Sequence, residues 1–140
     1  MNTLNFGFIF FLLFSFSLYG QSPVNWNFEF RDKGDKIEVI ATASMQKNWN
    51  IYSQHTEDNG PIPTGFYIGE ELVVFQENSK AIKHLDPLFE VNVIKFKENA
   101  SFSYIYQKGA KKEIKGYVTF MACNDEKCLP PSDVPFNFTW

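Results

Sequence analysis

The chain has 140 residues, 13 basic and 16 acidic, for a formal net charge of -3. That length suits one domain, and the mixed signs leave no basic stripe of the kind nucleic acid requires. A hydrophobic content of 44%, with 18% aromatic residues, excludes a disordered chain. Two cysteines are too few for a disulfide-dense scaffold or a four-cysteine zinc site. The only long apolar segment is N-terminal, which excludes a polytopic membrane protein.

Residues 1–28 carry no charged side chain; the first is Glu29. Residues 6–19, FGFIFFLLFSFSLY, form a nearly unbroken apolar run. It is shorter than the roughly 20 residues of a spanning helix and fits the roughly 7–15 of a secretory h-region. The polar Gly20-Gln21-Ser22-Pro23 follows. Residues 1–20 are therefore expected to be a signal peptide, cut as late as residue 22, although no Lys or Arg precedes the apolar run. An uncleaved anchor is the alternative. No cysteine lies near the cut, so a lipid anchor is not expected. The expected mature domain, residues 23–140, would be exported and soluble, in an oxidising compartment where disulfides persist.

Beyond the signal the pattern is one of short β segments between turn residues. Residues 25–31 alternate, with Trp26, Phe28 and Phe30 on one face. Residues 31–35 read as a turn. Residues 36–45 alternate again, with Ile37, Val39, Ala41 and Ala43 together. A short strand is expected around Trp49 and Ile51, then a long irregular stretch over 53–69. Residues 71–76 and 88–97 read as strands, the second with a bulge after Val93. Residues 100–107 form another strand, followed by a glycine-containing hairpin turn. Residues 113–123 read as the longest strand, and 134–140 close the chain with Phe136, Phe138 and Trp140 on one face. No window shows a convincing helical period. Seven to nine short strands predict an all-β fold, an immunoglobulin-like antiparallel β-sandwich, with a small closed barrel as the alternative.

The chemically informative segment is GYVTFMACNDEKCLPP, residues 116–131. Four residues separate Cys123 from Cys128, which is not the C-x-x-C of a thioredoxin site. A regular strand would put Val118, Phe120 and Ala122 on the core face, and Cys123 with Met121 on the outer face. A bridge closing so short a loop contributes only about 2 kcal/mol by chain entropy. Exposed or strained bridges are the labile ones. Lys127 favours a thiolate at Cys128, while Asp125 and Glu126 oppose it. The residues by themselves leave a structural staple and a redox-active pair both open. His55 and His84 lie in unrelated stretches and read as ordinary surface residues, and no metal site is expected.

The segment YVTFMACNDEKCLPPSDVPFNF resembles the end of the N-terminal periplasmic domain of DsbD, the thiol:disulfide interchange protein. NWNIYSQ, residues 48–54, is similar to that family's aromatic strand beside its cysteines, and Gly60-Pro61-Ile62-Pro63-Thr64 is common in DsbD-like domains. The resemblance spans the whole expected mature chain. It implies an immunoglobulin-like fold whose Cys123–Cys128 disulfide relays electrons, as a component of a protein-disulfide reductase system. Cys128 would form the mixed disulfide with a partner, and Cys123 would resolve it. It also implies a cap loop over the cysteines within residues 84–89. Phe89 is the shield candidate, Leu88 the second, and Asp86 starts the loop. Tyr52, with Trp49, would flank the disulfide. The partners implied are a membrane-embedded or thioredoxin-like electron donor on a separate chain and thioredoxin-fold acceptors. The inter-cysteine loop is one residue shorter than in the best-known members.

Such exchange needs no metal or cofactor. Two rivals stand beside it. One is a non-catalytic immunoglobulin-like binding module with a structural disulfide. The other is a copper(I) carrier using both thiolates with Met121 or His84.

Overall fold

Alternating apolar residues decide most of the architecture. The computed structural model describes residues 20–140; the expected signal segment up to residue 19 lies outside the described residues. Among the described residues eleven strands run in chain order: β1 (Val24–Asp32), β2 (Lys36–Met45), β3 (Asn50–Tyr52), β4 (Gly65–Ile68), β5 (Glu71–Val73), β6 (Gln76–Glu77), β7 (Ile82–Leu85), β8 (Asn92–Lys97), β9 (Asn99–Gln107), β10 (Glu113–Phe120) and β11 (Ser132–Thr139). All pairings are antiparallel. Among the described residues, no helix is long and apolar enough to cross a membrane.

Two four-stranded sheets, ordered β1-β2-β9-β6 and β11-β10-β4-β5, form the sandwich. The inward face of β2 supplies Ile37, Val39, Ala41 and Ala43, all fully buried. Across from them lie Phe66, Ile114, Val118 and Phe136, with Phe102 from β9. Aromatic rings carry much of this burial. Phe66 stacks on Phe75 with centroids 4.0 Å apart, and Trp26 packs against Phe28, Phe66, Phe102 and Phe120. Gly116 is the one place on β10 where the core admits no side chain. A Cβ there would strike the Tyr67 carbonyl and come within 2.5 Å of the Phe136 ring.

A third sheet, β3-β8-β7, extends one end of the sandwich. The β2–β9 pair bends into it. Asn48 (φ 70°) and Glu98 (φ 65°), both left-handed, lie at the two joints where β2 passes to β3 and β8 passes to β9. Left-handed backbone costs least at glycine, and Asn is among the side chains that tolerate it.

Several expectations need correction. The turn after residue 107 closes no hairpin, because β9 and β10 lie in different sheets. The strand expected over 113–123 ends at Phe120 and is shorter than β2. The stretch 53–69 contains a strand, β4, which pairs with β10. Residues 71–76 are two short strands, β5 and β6, in different sheets. The chain switches sheets there, burying Phe75 while leaving Val74 exposed. Residues 88–91 are loop rather than strand, and an unforeseen strand, β7, precedes them. Finally, β8 has no bulge: its register is continuous with both neighbours. Val93, Lys95 and Phe96 are all buried because β8 is covered on both faces, with Phe96 in the sandwich core and Val93 in a second, smaller cluster.

Candidate functional site

That smaller cluster surrounds the cysteines. Tyr52, Val93 and Cys123 form its buried centre, with Phe89, Val91, Met121 and Cys128 packed against it. β10 ends at Phe120, and the chain then crosses to the third sheet. Cys123 pairs there with Asn50 of β3: each backbone N–H donates to the other's carbonyl, at 2.8 and 3.1 Å. The Asn50 side-chain amide also donates to the Cys123 carbonyl at 3.3 Å. This break in the strand corrects the outward-facing expectation. Ala122 and Cys123 are both buried, at 3% and 1% exposure, whereas Cys128 is only partly buried.

Cys123 and Cys128 are joined as a disulfide, with Cα atoms 4.0 Å apart. They face each other across a small hairpin. The flanking bonds run from Leu129 N–H to the Ala122 carbonyl and from Asn124 N–H to the Lys127 carbonyl, both 2.9 Å. The cysteines thus occupy a non-hydrogen-bonded pair, where opposed side chains come closest. The Asn124 side chain closes the turn by accepting from Glu126 N–H (2.9 Å) and Lys127 N–H (2.8 Å). Asn does this readily because its short amide reaches backbone donors two or three residues on. A four-residue spacer containing Asn therefore suffices to bring the two sulfurs together.

The loop 86–91, between β7 and β8, lies against this pair. Asp86 organises it from a buried position (4% exposed). One carboxylate oxygen accepts from Leu88 N–H (2.9 Å) and Phe89 N–H (3.2 Å). The other accepts from the Tyr52 hydroxyl in a longer bond of 3.4 Å. Backbone bonds from Asp86 N–H to the Val91 carbonyl and from Glu90 N–H to the Asp86 carbonyl close the turn, with Glu90 left-handed at φ 58°. Phe89 then packs on the disulfide cluster, while Leu88 (42% exposed) and Leu85 (62%) face solvent beside it. Burial, followed by the Asp86 charge and hydrogen bond, pushes the Tyr52 phenol well above the ordinary tyrosine range, so it stays protonated and donates.

The structure brings Asp86, Phe89, Tyr52, Cys123 and Cys128 together. Leu88 sits at the rim, and Trp49 packs against the main core rather than the disulfide cluster. Met121 does touch the cluster. His84 and His55 share the lining of one cleft of about 330 Å³ with Glu57, Lys83 and Asn92, so they are spatial neighbours despite their separation in sequence. Among the described residues, no three His, Cys, Asp or Glu side chains are grouped to hold a metal ion. Sequence reading missed Asn50 and Lys95. Asn50 offers no local signal. Lys95 does: it is a charged residue in phase with buried Val93, which the expected bulge concealed.

Two solved structures share this architecture. The N-terminal domain of DsbD from Neisseria meningitidis, determined in its reduced form, matches with a TM-score of 0.52 and 17% identity, covering 82% of this chain and 85% of that one. The N-terminal periplasmic domain of ScsB from Proteus mirabilis matches with a TM-score of 0.61 and 10% identity. That match covers 83% of this chain but 45% of the ScsB domain, so the chain spans less than half of its length. No protein-family model and no curated protein sequence matches the chain. At these identities the likeness is one of fold, and fold by itself does not carry function. The described residues form an all-β, immunoglobulin-like sandwich with the fold of the DsbD N-terminal domain.

Proposed function

We propose that this domain is an exported, periplasmic thiol–disulfide exchange module. It takes two electrons from a membrane-embedded or thioredoxin-like donor and passes them to thioredoxin-fold acceptors. The observation that carries this reading is the disulfide hairpin at one end of a DsbD-type sandwich, with one cysteine buried and the other partly exposed beside an ordered aromatic loop.

In the first half-cycle a donor thiolate attacks Cys128 Sγ. The Cys123–Cys128 bond breaks, Cys123 leaves as a thiolate, and a mixed disulfide forms. The donor's second thiol then attacks its own bonded sulfur, releasing Cys128. Two electrons and two protons have moved, and the donor is left as a disulfide. In the second half-cycle the Cys128 thiolate attacks an acceptor disulfide. Cys123 then attacks Cys128 Sγ, restoring the intramolecular bond and releasing the acceptor as a dithiol. The hairpin holds Cys123 opposite Cys128, which gives the resolving step a high effective concentration. Phe89, backed by Leu88 and held by Asp86, shields the sulfurs from adventitious oxidants until a partner displaces the loop. Tyr52 supports the loop from beneath.

The test is the reduction potential of the pair, read by equilibrating the domain in glutathione buffers, trapping thiols and weighing the products. A value above about -250 mV marks an exchangeable disulfide. A value below about -300 mV marks a structural bridge and returns the domain to a non-catalytic binding module. Cys123→Ser/Cys128→Ser is expected to abolish reduction of a thioredoxin-fold acceptor by the reduced domain.

A further inference from the structure

Only two charged residues among the described residues are buried, and both lie at this end of the molecule: Asp86 and Lys95, each 4% exposed. Lys95 of β8 stands opposite Tyr52 of β3 on one side and Ile82 of β7 on the other. Directly opposed residues in an antiparallel sheet project to the same face, as do residues two apart on one strand. Lys95 therefore leaves the sheet on the face that carries Tyr52 and Val93, the two residues packed with Cys123. Two carboxylates from other elements act on it: Asp86 at the start of the cap loop and Asp125 in the turn between the cysteines. Their fields favour its charged form, while burial and the neighbouring Lys97 outweigh them and draw the lysine below its ordinary range. Among the described residues it belongs to no ion pair. The other groups on this face are the Tyr52 phenol and His84, opposite Val93.

Lys95 is largely withdrawn from water, and a cation so placed gains from any negative charge that forms nearby. While the sulfurs are bonded to each other, Asp86 and Asp125 act on it without forming an ion pair. Opening that bond creates a thiolate at the same end of the fold. We propose that Lys95 is the positioning residue whose ammonium stabilises the thiolate released from the Cys123–Cys128 bond, and so sets the reactivity of the opened pair. The proposal rests on the exchange reading above for its use, but the electrostatic coupling exists whether or not a partner is reduced.

Linkage makes the coupling reciprocal: if Lys95 favours the thiolate, the thiolate favours protonated Lys95 by the same factor. The first measurement therefore needs no substitution. Lys95 is titrated by NMR at its side-chain Cε and Nζ in the oxidised and reduced wild-type domain. A higher pKa in the reduced form is expected, and equal values overturn the proposal. The second compares the pH–rate profile of iodoacetamide alkylation for wild type, Lys95→Met and Lys95→Arg, with each cysteine followed by mass. Losing the cation should lower the thiolate fraction about tenfold below the thiol pKa, at the low end for removal of a nearby opposite charge. Nucleophilicity rises with thiol pKa with a slope of about 0.4–0.5, so alkylation should slow about threefold on the acid side and quicken about threefold on the alkaline side. The Met and wild-type curves then cross, and the Arg curve follows wild type. Coincident Met and wild-type curves would overturn the proposal, as would an Arg curve displaced as far as Met, which would signify packing rather than charge. Failure of the exchange reading looks different: the shifted profile persists, but the domain reduces no acceptor.

Discussion

Removing the Asp86 carboxylate tests whether the loop over the cysteines is a gate. Asp86 accepts two loop backbone N–H groups, from Leu88 at 2.9 Å and Phe89 at 3.2 Å, and these hold Phe89 against the disulfide. Hydrogen bonds to a charged acceptor are worth about 1.5–3 kcal/mol each. The second bond is long and the loop is partly exposed, so one bond at the lower figure, about 1.5 kcal/mol, is a conservative loss for Asp86→Ala. A factor of ten corresponds to about 1.4 kcal/mol, so the open population should rise about tenfold. If opening is rare and fast, the rate at which a bulky thiol reduces Cys123–Cys128 rises by the same factor. Asp86→Asn keeps an acceptor oxygen and should show a smaller rise. The assay is the pseudo-first-order rate of reduction, with hydrogen exchange at the Leu88 and Phe89 amides as an independent measure of opening. If exchange at those amides quickens while reduction does not, the loop does not gate the sulfurs and the cap assignment fails. If neither changes, Asp86 does not hold the loop.

Two further outcomes follow from the same geometry. Tyr52 has its pKa raised by burial, so the folded state keeps a proton that the unfolded chain loses above about pH 10. Its stabilising contribution is complete below that pH and is lost as pH rises further, at up to about 1.4 kcal/mol per pH unit. Tyr52→Phe should therefore lie below wild type in stability at neutral pH by about 1 kcal/mol for the lost Asp86 hydrogen bond, with the gap narrowing above pH 10; parallel denaturant curves across that range would contradict the assignment. Gly116→Ala should destabilise the sandwich by about 3 kcal/mol or more, because the added methyl meets the Tyr67 carbonyl and the Phe136 ring in a place with no room to relax; a melting temperature within a degree of wild type would contradict the packing described for β10.

Much of the sandwich was legible in the sequence because its signals are local. The alternation of Ile37, Val39, Ala41 and Ala43 fixes the buried face of β2 wherever its partners lie. The Gly109 turn marks where β9 ends, with glycine at a left-handed φ of 53°, but the sequence does not show that β9 and β10 part there into different sheets. The cysteine spacing and the following prolines carried the family resemblance, and with it the fold. What the tertiary structure alone decided are the properties that depend on distant partners. Cys123 is buried because Asn50, far away in sequence, captures its backbone and turns it out of the β10 ladder. Residues 71–76 divide between two sheets because β4 and β9 each claim one end. Lys95 is buried in the middle of a three-stranded sheet, between β3 and β7, on the face where Tyr52 and Val93 pack with Cys123. Periodicity states which residues share a face; only the packing of other strands decides whether that face meets water, a core or a disulfide.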